Sequence, residues 1–482
     1  MNAPILKLFV VVLVLFMALI VMTSYNSVIN AESYREEAHN RRPQIEEQRV
    51  HRGVIRARDG SVLARSVLED SGLYSRRYSA TGATFAHAVG YDYLRTGRAG
   101  IERERNAELT GARGEISSVV DQLRGRRRVG ESVVTNLDPK AQRVAIKALG
   151  GRKGSVVAIE PATGKVRVMV SSPGYDPNAL NRPGVFGKLS TDAANSPLLN
   201  RATQGGYPPG STMKVVTAAA ALDSGKFTPD SVVDGTSPIN ISGAPLQNFS
   251  NEQFGPIPLT TALTHSVNTV WAQVAEQLGH RTMAAYMRRF GFGADPPMDY
   301  PDAQMRPSGV LDRTTQKLIS PASRRVDIGR VGIGQERLAV TPLQMATVAA
   351  TVANGGVRME PHLTNRIVDE DGRTVDRVAP KVAKRVMDES SAAELTQMMS
   401  NVVREGTGVG AALEGIEVAG KTGTAELDIA RSINQPWFIG FAPRHKPKVA
   451  VAVTVERVQG PQSQGGVVAA PIAKRVMQEL LR

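Results

Sequence analysis

The chain has 482 residues, 41% of them hydrophobic and 22% charged, which is enough for two or three units with their own cores and too apolar for wholesale disorder. It has no cysteine, which excludes a disulfide framework, a thiolate nucleophile and a cysteine-ligated metal. A formal charge of +14 predicts attraction to a polyanion, but the basic residues are spread along the chain and Arg124–Arg128 ("RGRRR") is the one tight run. An anionic membrane or envelope is therefore expected as the partner, and nucleic acid is not.

The first predicted element is a membrane anchor over residues 8–23. From Leu8 to Met22 the sequence has no charged or polar residue, and with its flanks it approaches the ~20 residues a helix needs to span hydrocarbon. "TSYNSVINAES" offers no small-x-small cleavage site, and a core helix would not be apolar on every face. Lys7 precedes the span and no Lys or Arg follows before Arg35, which predicts a cytoplasmic tail of residues 1–7 and everything from about residue 24 outside.

Residues 24–137 read as a small α+β stalk module. A polar stretch over 31–50 leads to a hairpin in which Val54/Ile55 and Val62/Leu63 flank Asp59-Gly60. The segment from Tyr74 to Arg128 has no long amphipathic repeat and reads as irregular α+β.

A second unit, 138–482, begins where Asp138 can cap a helix with Pro139 in its first turn and Gly150 and Gly151 at its end. "GSVVAIEPATGKVRVMVSS" predicts two strands around a turn. A mostly helical middle follows, then strands in "GIEVAGKT", "PWFIGFAP" and "KVAVAVTVERV", and a closing helix in "APIAKRVMQELL" with Pro471 in its first turn. The fold class is α+β, an antiparallel sheet flanked by helices with a mostly helical insertion.

Three short motifs carry the chemistry. In "YPPGSTMK", prolines and Gly210 stop the preceding element, so Ser211 starts a helix and Lys214 lies one turn on, on the same face. A serine hydroxyl is a poor nucleophile without an adjacent base, and a desolvated lysine can be that base. The S-x-x-K pattern is expected roughly once or twice by chance in a chain this long, and it occurs once here. Ser266 and Asn268 form an S-x-N triplet between this motif and "GKTGTA".

The stretch "GIEVAGKT" from Gly415 also fits the pattern of a phosphate loop, but a glycine falls where that loop's helix would start. As a strand, the same stretch puts Lys421, Gly423 and Ala425 on one face and Thr422 and Thr424 on the other. No G-x-S-x-G elbow and no H-E-x-x-H motif is present, and His265 reads as structural. No cofactor and no metal site is expected.

The order S-x-x-K, S-x-N, K-T-G resembles the penicillin-recognising serine acyltransferases. "RGVIRARDGSVLA", "GIERERNAELTG", "NRATQGGYPPGSTMK" and "REGTGVGAALEGIEVAGKTGTAE" extend the likeness, from about Arg52 to the C-terminus, to class B penicillin-binding proteins and most of all to the actinobacterial penicillin-binding protein A branch. The resemblance implies a penicillin-binding, serine β-lactamase-like transpeptidase domain on the stalk module. It implies that Ser211 attacks the penultimate D-alanine of a peptidoglycan stem peptide, with Lys214 accepting the serine proton. Ser266 would relay a proton to the leaving amine, and Asn268 would order Lys214 and the substrate amide. Lys421 would keep Lys214 neutral and attract the substrate carboxylate, to which Thr422 and Thr424 would hydrogen-bond. The N–H groups of Ser211 and Thr424 would form the oxyanion hole.

β-Lactam antibiotics would acylate Ser211 and remain. About 110 N-terminal residues leave no room for a glycosyltransferase, which implies a membrane glycan polymerase and a division or elongation complex as partners. The same constellation serves D,D-carboxypeptidases and β-lactamases with water as acceptor, and β-lactam-sensing receptors; the stalk and the short cytoplasmic tail favour transpeptidation.

Overall fold

The N-terminal apolar run coils into one helix, α1 (Asn2–Ser24), whose large side chains are all exposed. It is long and apolar enough to cross a membrane, and its surface suits hydrocarbon rather than water. The computed structural model describes residues 2–25, 42–80, 82–112, 129–428 and 430–482; the polar stretch up to residue 41 and the Arg124–Arg128 run lie outside the described residues.

The predicted hairpin forms from β1 (Ile55–Arg56) and β2 (Val62–Leu68). Gly60, at φ +86°, makes the reversal, and Asp59 accepts from the Ser61 N–H inside it. β3 (Tyr74–Tyr78), α2 (Gly82–Val89) and β4 (Ser132–Thr135) follow, β4 running parallel to β1. The "GIERE" stretch places Glu102 at 0% exposure, where it accepts from Arg52 at 2.8 Å and Arg76 at 2.6 Å. Glu102 thus closes a buried ion triad with Arg52 and Arg76.

Asp138 caps α3 (Pro139–Leu149) as its sequence predicts: the carboxylate accepts from the N–H groups of Lys140 and Ala141, and Gly150 ends the helix at φ 60°. Then come β5 (Gly154–Ile159), β6 (Val166–Ser172), α4 (Lys214–Asp223), α5 (Asn268–Arg289) and α6 (Pro342–Ala353). The chain continues through β7 (Thr364–Val368), β8 (Thr374–Arg377) and α7 (Glu389–Arg404). It ends with β9 (Ala419–Asp428), β10 (Ile433–Ala442), β11 (Val449–Val455) and α8 (Gly465–Leu480).

These strands make two main sheets. The N-terminal one has the order β8-β7-β4-β1-β2-β3, so two strands from residues 364–377 complete a sheet begun near residue 55. The second, antiparallel throughout, has the order β9-β10-β11-β5-β6, which leaves β9 at an edge. In β11, Val449, Val451, Val453 and Val455 pack under α3 and α8, while Ala450 and Ala452 face the core that includes α6. Small residues on that side let α6, buried along nearly its whole length, approach closely, and helices on both faces bury every residue of β11.

Two sequence expectations are corrected. The strand predicted from Ile416 begins at Ala419, because Ile416 is taken by an isolated bridge to Leu413. Pro471 lies inside the closing helix and not in its first turn, because that helix starts six residues earlier, at Gly465. The phosphate-loop alternative also fails, since Lys421 and Thr422 lie within β9 and no helix starts there.

Candidate active site

Ser211 and Lys214 are brought together by a change of helix type. Residues Gly210–Met213 form a single 3-10 turn that passes into α4 at Lys214. In a 3-10 turn side chains three apart eclipse, so the serine and the lysine stand in one row. The turn is seated on β9: at Gly210, φ 51°, an added Cβ would lie 3.0 Å from the Thr424 and Ala425 backbone. At Gly423 an added Cβ would lie 2.7 Å from the Pro209 carbonyl oxygen and 2.9 Å from Thr212 Cγ2. Both glycines are needed because backbone meets backbone there.

Ser266 supplies the third corner. Its φ of 60° is left-handed, rare for a residue with a side chain, and it turns both carbonyl and hydroxyl toward Lys214. Lys214 Nζ is 2.6 Å from the Ser266 carbonyl oxygen, 2.7 Å from Asn268 Oδ1 and 3.2 Å from Ser266 Oγ. Lys421 Nζ donates to the same Ser266 Oγ at 2.8 Å and to its neighbour's carbonyl, Thr422 O, at 3.1 Å. One hydroxyl therefore lies between two amines. Asn268 Nδ2 donates to the Gln247 carbonyl at 3.0 Å, which keeps Oδ1 turned toward Lys214.

Both lysines are fully buried, and neither has a carboxylate partner among the described residues. Burial, and secondarily the Lys421 charge, holds the Lys214 pKa well below the usual lysine value. Burial pushes Lys421 down to about 7. A neutral Lys214 has two N–H bonds, enough for the Ser266 carbonyl and Asn268 Oδ1, and a lone pair left to accept from a hydroxyl. Such an amine can serve as a base.

On the opposite face of β9, Thr422 Oγ1 is 2.6 Å from Thr407 Oγ1, and Thr424 Oγ1 accepts from the Gly465 N–H at 3.2 Å. His265, as its sequence context suggests, packs its ring on Phe254, with centroids 5.9 Å apart.

Residues 154–478 match the penicillin binding protein transpeptidase domain, and residues 52–133 match the penicillin binding protein A dimerisation domain. The chain belongs to the penicillin-binding protein transpeptidase family. Within it, this class B penicillin-binding protein is 34% identical to the peptidoglycan D,D-transpeptidase PbpA of Mycolicibacterium smegmatis, over 100% of this chain and 99% of that one. The Mycobacterium tuberculosis PbpA is 33% identical over the same shares. Among solved structures, penicillin-binding protein A from M. tuberculosis as a ceftriaxone acyl-enzyme complex superposes with a TM-score of 0.80 at 33% identity. That comparison covers 91% of this chain and all of that one.

The Ser211 turn is held by residues outside the three motifs, for which the sequence indicated no role. Tyr207, in "YPPGS", donates its hydroxyl to Glu456 at 2.5 Å, and Arg201 donates to the same carboxylate oxygen at 2.7 Å. Trp437 Nε1 donates to the Pro208 carbonyl at 2.9 Å. These bonds hold the loop leading into Ser211. A tyrosine directly before a Pro-Pro-Gly turn was the available signal; Glu456 lies 249 residues away and gives none.

Proposed function

We propose that this chain is a peptidoglycan D,D-transpeptidase that works through an acyl-enzyme on Ser211, anchored by α1 with its N-terminus cytoplasmic and its catalytic part outside. The observation that carries the reading is the Ser266 hydroxyl held between two buried lysines, one of them three residues after Ser211 at the start of the helix. An amine kept neutral beside a serine is a base; an amine beyond it, nearer its charged range, is an electrostatic anchor.

The steps follow from the donors and acceptors. Ser211 Oγ attacks the carbonyl carbon of the penultimate D-alanine, and its proton passes to the Lys214 lone pair. The developing oxyanion is held by the N–H groups of Ser211 and Thr424. Pro436 lies opposite Thr424 in the β9–β10 register and has no N–H to give. That pairing suits a non-hydrogen-bonded site, with the Thr424 N–H and C=O directed to the open edge of β9.

As the C–N bond breaks, the proton returns from Lys214 through Ser266 to the nitrogen of the departing D-alanine. An amine from a second stem peptide then attacks the ester, loses its proton to Lys214 and restores the Ser211 hydroxyl. Lys421, with Thr422 and Thr424, holds the substrate carboxylate. β-Lactams enter by the same first step and stay as esters. A membrane glycan polymerase, in a division or elongation complex, supplies the strands that are joined.

The test is labelling by a fluorescent penicillin. Wild type is expected to label covalently and Ser211→Ala not at all; a labelled alanine variant would overturn the assignment. Mass spectrometry of products then separates cross-linked dimers, expected here, from trimmed monomers, which would mark a carboxypeptidase.

A further inference from the structure

The loop after α7 carries a hydroxyl that none of the three motifs contains. Thr407 Oγ1 contacts Thr422 Oγ1 at 2.6 Å, while the Thr407 N–H donates to the Thr264 carbonyl at 3.3 Å. Thr264 ends a short helix (Leu259–Thr264) two residues before Ser266. Thr407 thus joins two parts of the site, the Lys421 strand through its side chain and the segment before Ser266 through its main chain. Close backbone packing fixes it there. A Cβ on Gly406 would fall 2.3 Å from the Thr264 carbonyl oxygen, and one on Gly466 would fall 2.3 Å from that of Thr407.

Two hydroxyls in contact share one hydrogen, so one donates, the other accepts, and a single O–H is left free. Thr422 is the buried member, 6% exposed, and Thr407 the exposed one. A buried hydroxyl without a partner would rotate or stay unsatisfied; for Thr422 to keep its own O–H for a carboxylate, Thr407 must be the donor of the pair, and that bond then sets the direction of the Thr422 hydroxyl. The next threonine on this face has a matching arrangement. Thr424 Oγ1 accepts from Gly465, whose N–H belongs to the first turn of α8, and this leaves its own O–H to donate. Each of the two strand threonines is thus oriented by a group from another part of the chain.

We propose that Thr407 is a positioning residue for the carboxylate end of the substrate, acting by orienting the Thr422 hydroxyl. The inference rests on the reading of Thr422 and Thr424 as carboxylate donors and adds to it a residue from outside the K-T-G motif.

The experiment compares second-order acylation rates with benzylpenicillin and with its methyl ester, which lacks the charged carboxylate. In Thr407→Ala the benzylpenicillin rate is expected to fall about tenfold and the ester rate to change less than about twofold, as for one charge-assisted hydrogen bond weakened. Thr407→Ser is expected to restore the acid-to-ester ratio, and Thr407→Val gives the same reading as alanine should the smaller residue unfold the loop. An unchanged ratio, or equal losses for both compounds that serine does not recover, would overturn the role of Thr407. Wild type that reacts with neither compound would overturn the transpeptidase reading as well, an outcome distinct from a normal wild type with an unaltered variant.

Discussion

A buried amine with no carboxylate beside it keeps its proton only at a cost, and here two such amines flank one hydroxyl. The proposed roles require Lys214 neutral and Lys421 charged: burial, with the Lys421 charge adding to it, holds Lys214 well below its usual value, and burial holds Lys421 at about 7. Because each pKa is depressed, each lysine is protonated only below its own lowered value. In the proposed roles a rise in pH frees the Lys214 base, which speeds acylation, and through about pH 7 discharges Lys421, which slows it. The second-order rate with a β-lactam is therefore expected to pass through a maximum and fall above pH about 7. Stopped-flow acylation between about pH 5 and 9 checks this, and a rate still climbing at the alkaline end would remove a charged Lys421 from the mechanism. A bound carboxylate stabilises the ammonium, so at saturating substrate the falling limb should move to higher pH. Lys421→Ala should slow acylation by about 10²-fold, the scale of a lost electrostatic donor, with the thermal melting curve little altered.

At the scale of elements, β9 works because it is an edge strand pressed against the Ser211 turn. Gly423→Ala would push a Cβ to 2.7 Å from the Pro209 carbonyl oxygen and 2.9 Å from Thr212 Cγ2. The turn must then move by a sizeable part of an ångström, and displacement of that order costs about 10²-fold in rate. We expect that loss in penicillin acylation, with far-ultraviolet circular dichroism unchanged; a fully active alanine variant would show that the turn is not held by this contact. Much of this was legible in the chain. Period-two alternation correctly separated Lys421 from Thr422 and Thr424, and the Asp138-Pro139 and Gly150 signals marked α3. What escaped were features set by tertiary contact. The start of α8 at Gly465-Gly466 has no local cap, yet glycine is required there because a Cβ on Gly465 would meet Trp437 O and Gly423 O within 2.3 Å. The left-handed Ser266 and the reach of Thr407 to Thr422 likewise follow from packing and not from any run of residues.

Across the whole molecule, the N-terminal sheet and the catalytic part are joined at Asp299. This carboxylate accepts from the N–H groups of Leu363 and Thr364, at 2.6 and 2.8 Å, as the chain enters β7. It also pairs with Arg105 at 3.0 Å, beside the helix that carries Glu102. β7 pairs in turn with β4, and Asn136 Nδ2 donates to the carbonyls of His362 and Thr364. One side chain thus orients the entry of the strand that completes the N-terminal sheet and grips that module directly. Asp299→Ala would leave two backbone donors without their acceptor, while the Arg105 guanidinium keeps Glu108 and Thr364 as partners, a loss of about 1–3 kcal/mol for the unsatisfied donors. Arg105→Ala should cost less, because Asp299 keeps its two backbone bonds. If the residues act as one joint, the double variant should be less destabilised than the sum of the singles, with a coupling of about 0.5–3 kcal/mol from denaturant unfolding. Penicillin acylation of the folded fraction should stay near wild type in all three variants, since Ser266 and Lys421 are held by other contacts. Strict additivity would mean that Arg105 and Asp299 stabilise the two parts separately, and that the sheet junction depends on β4–β7 pairing alone.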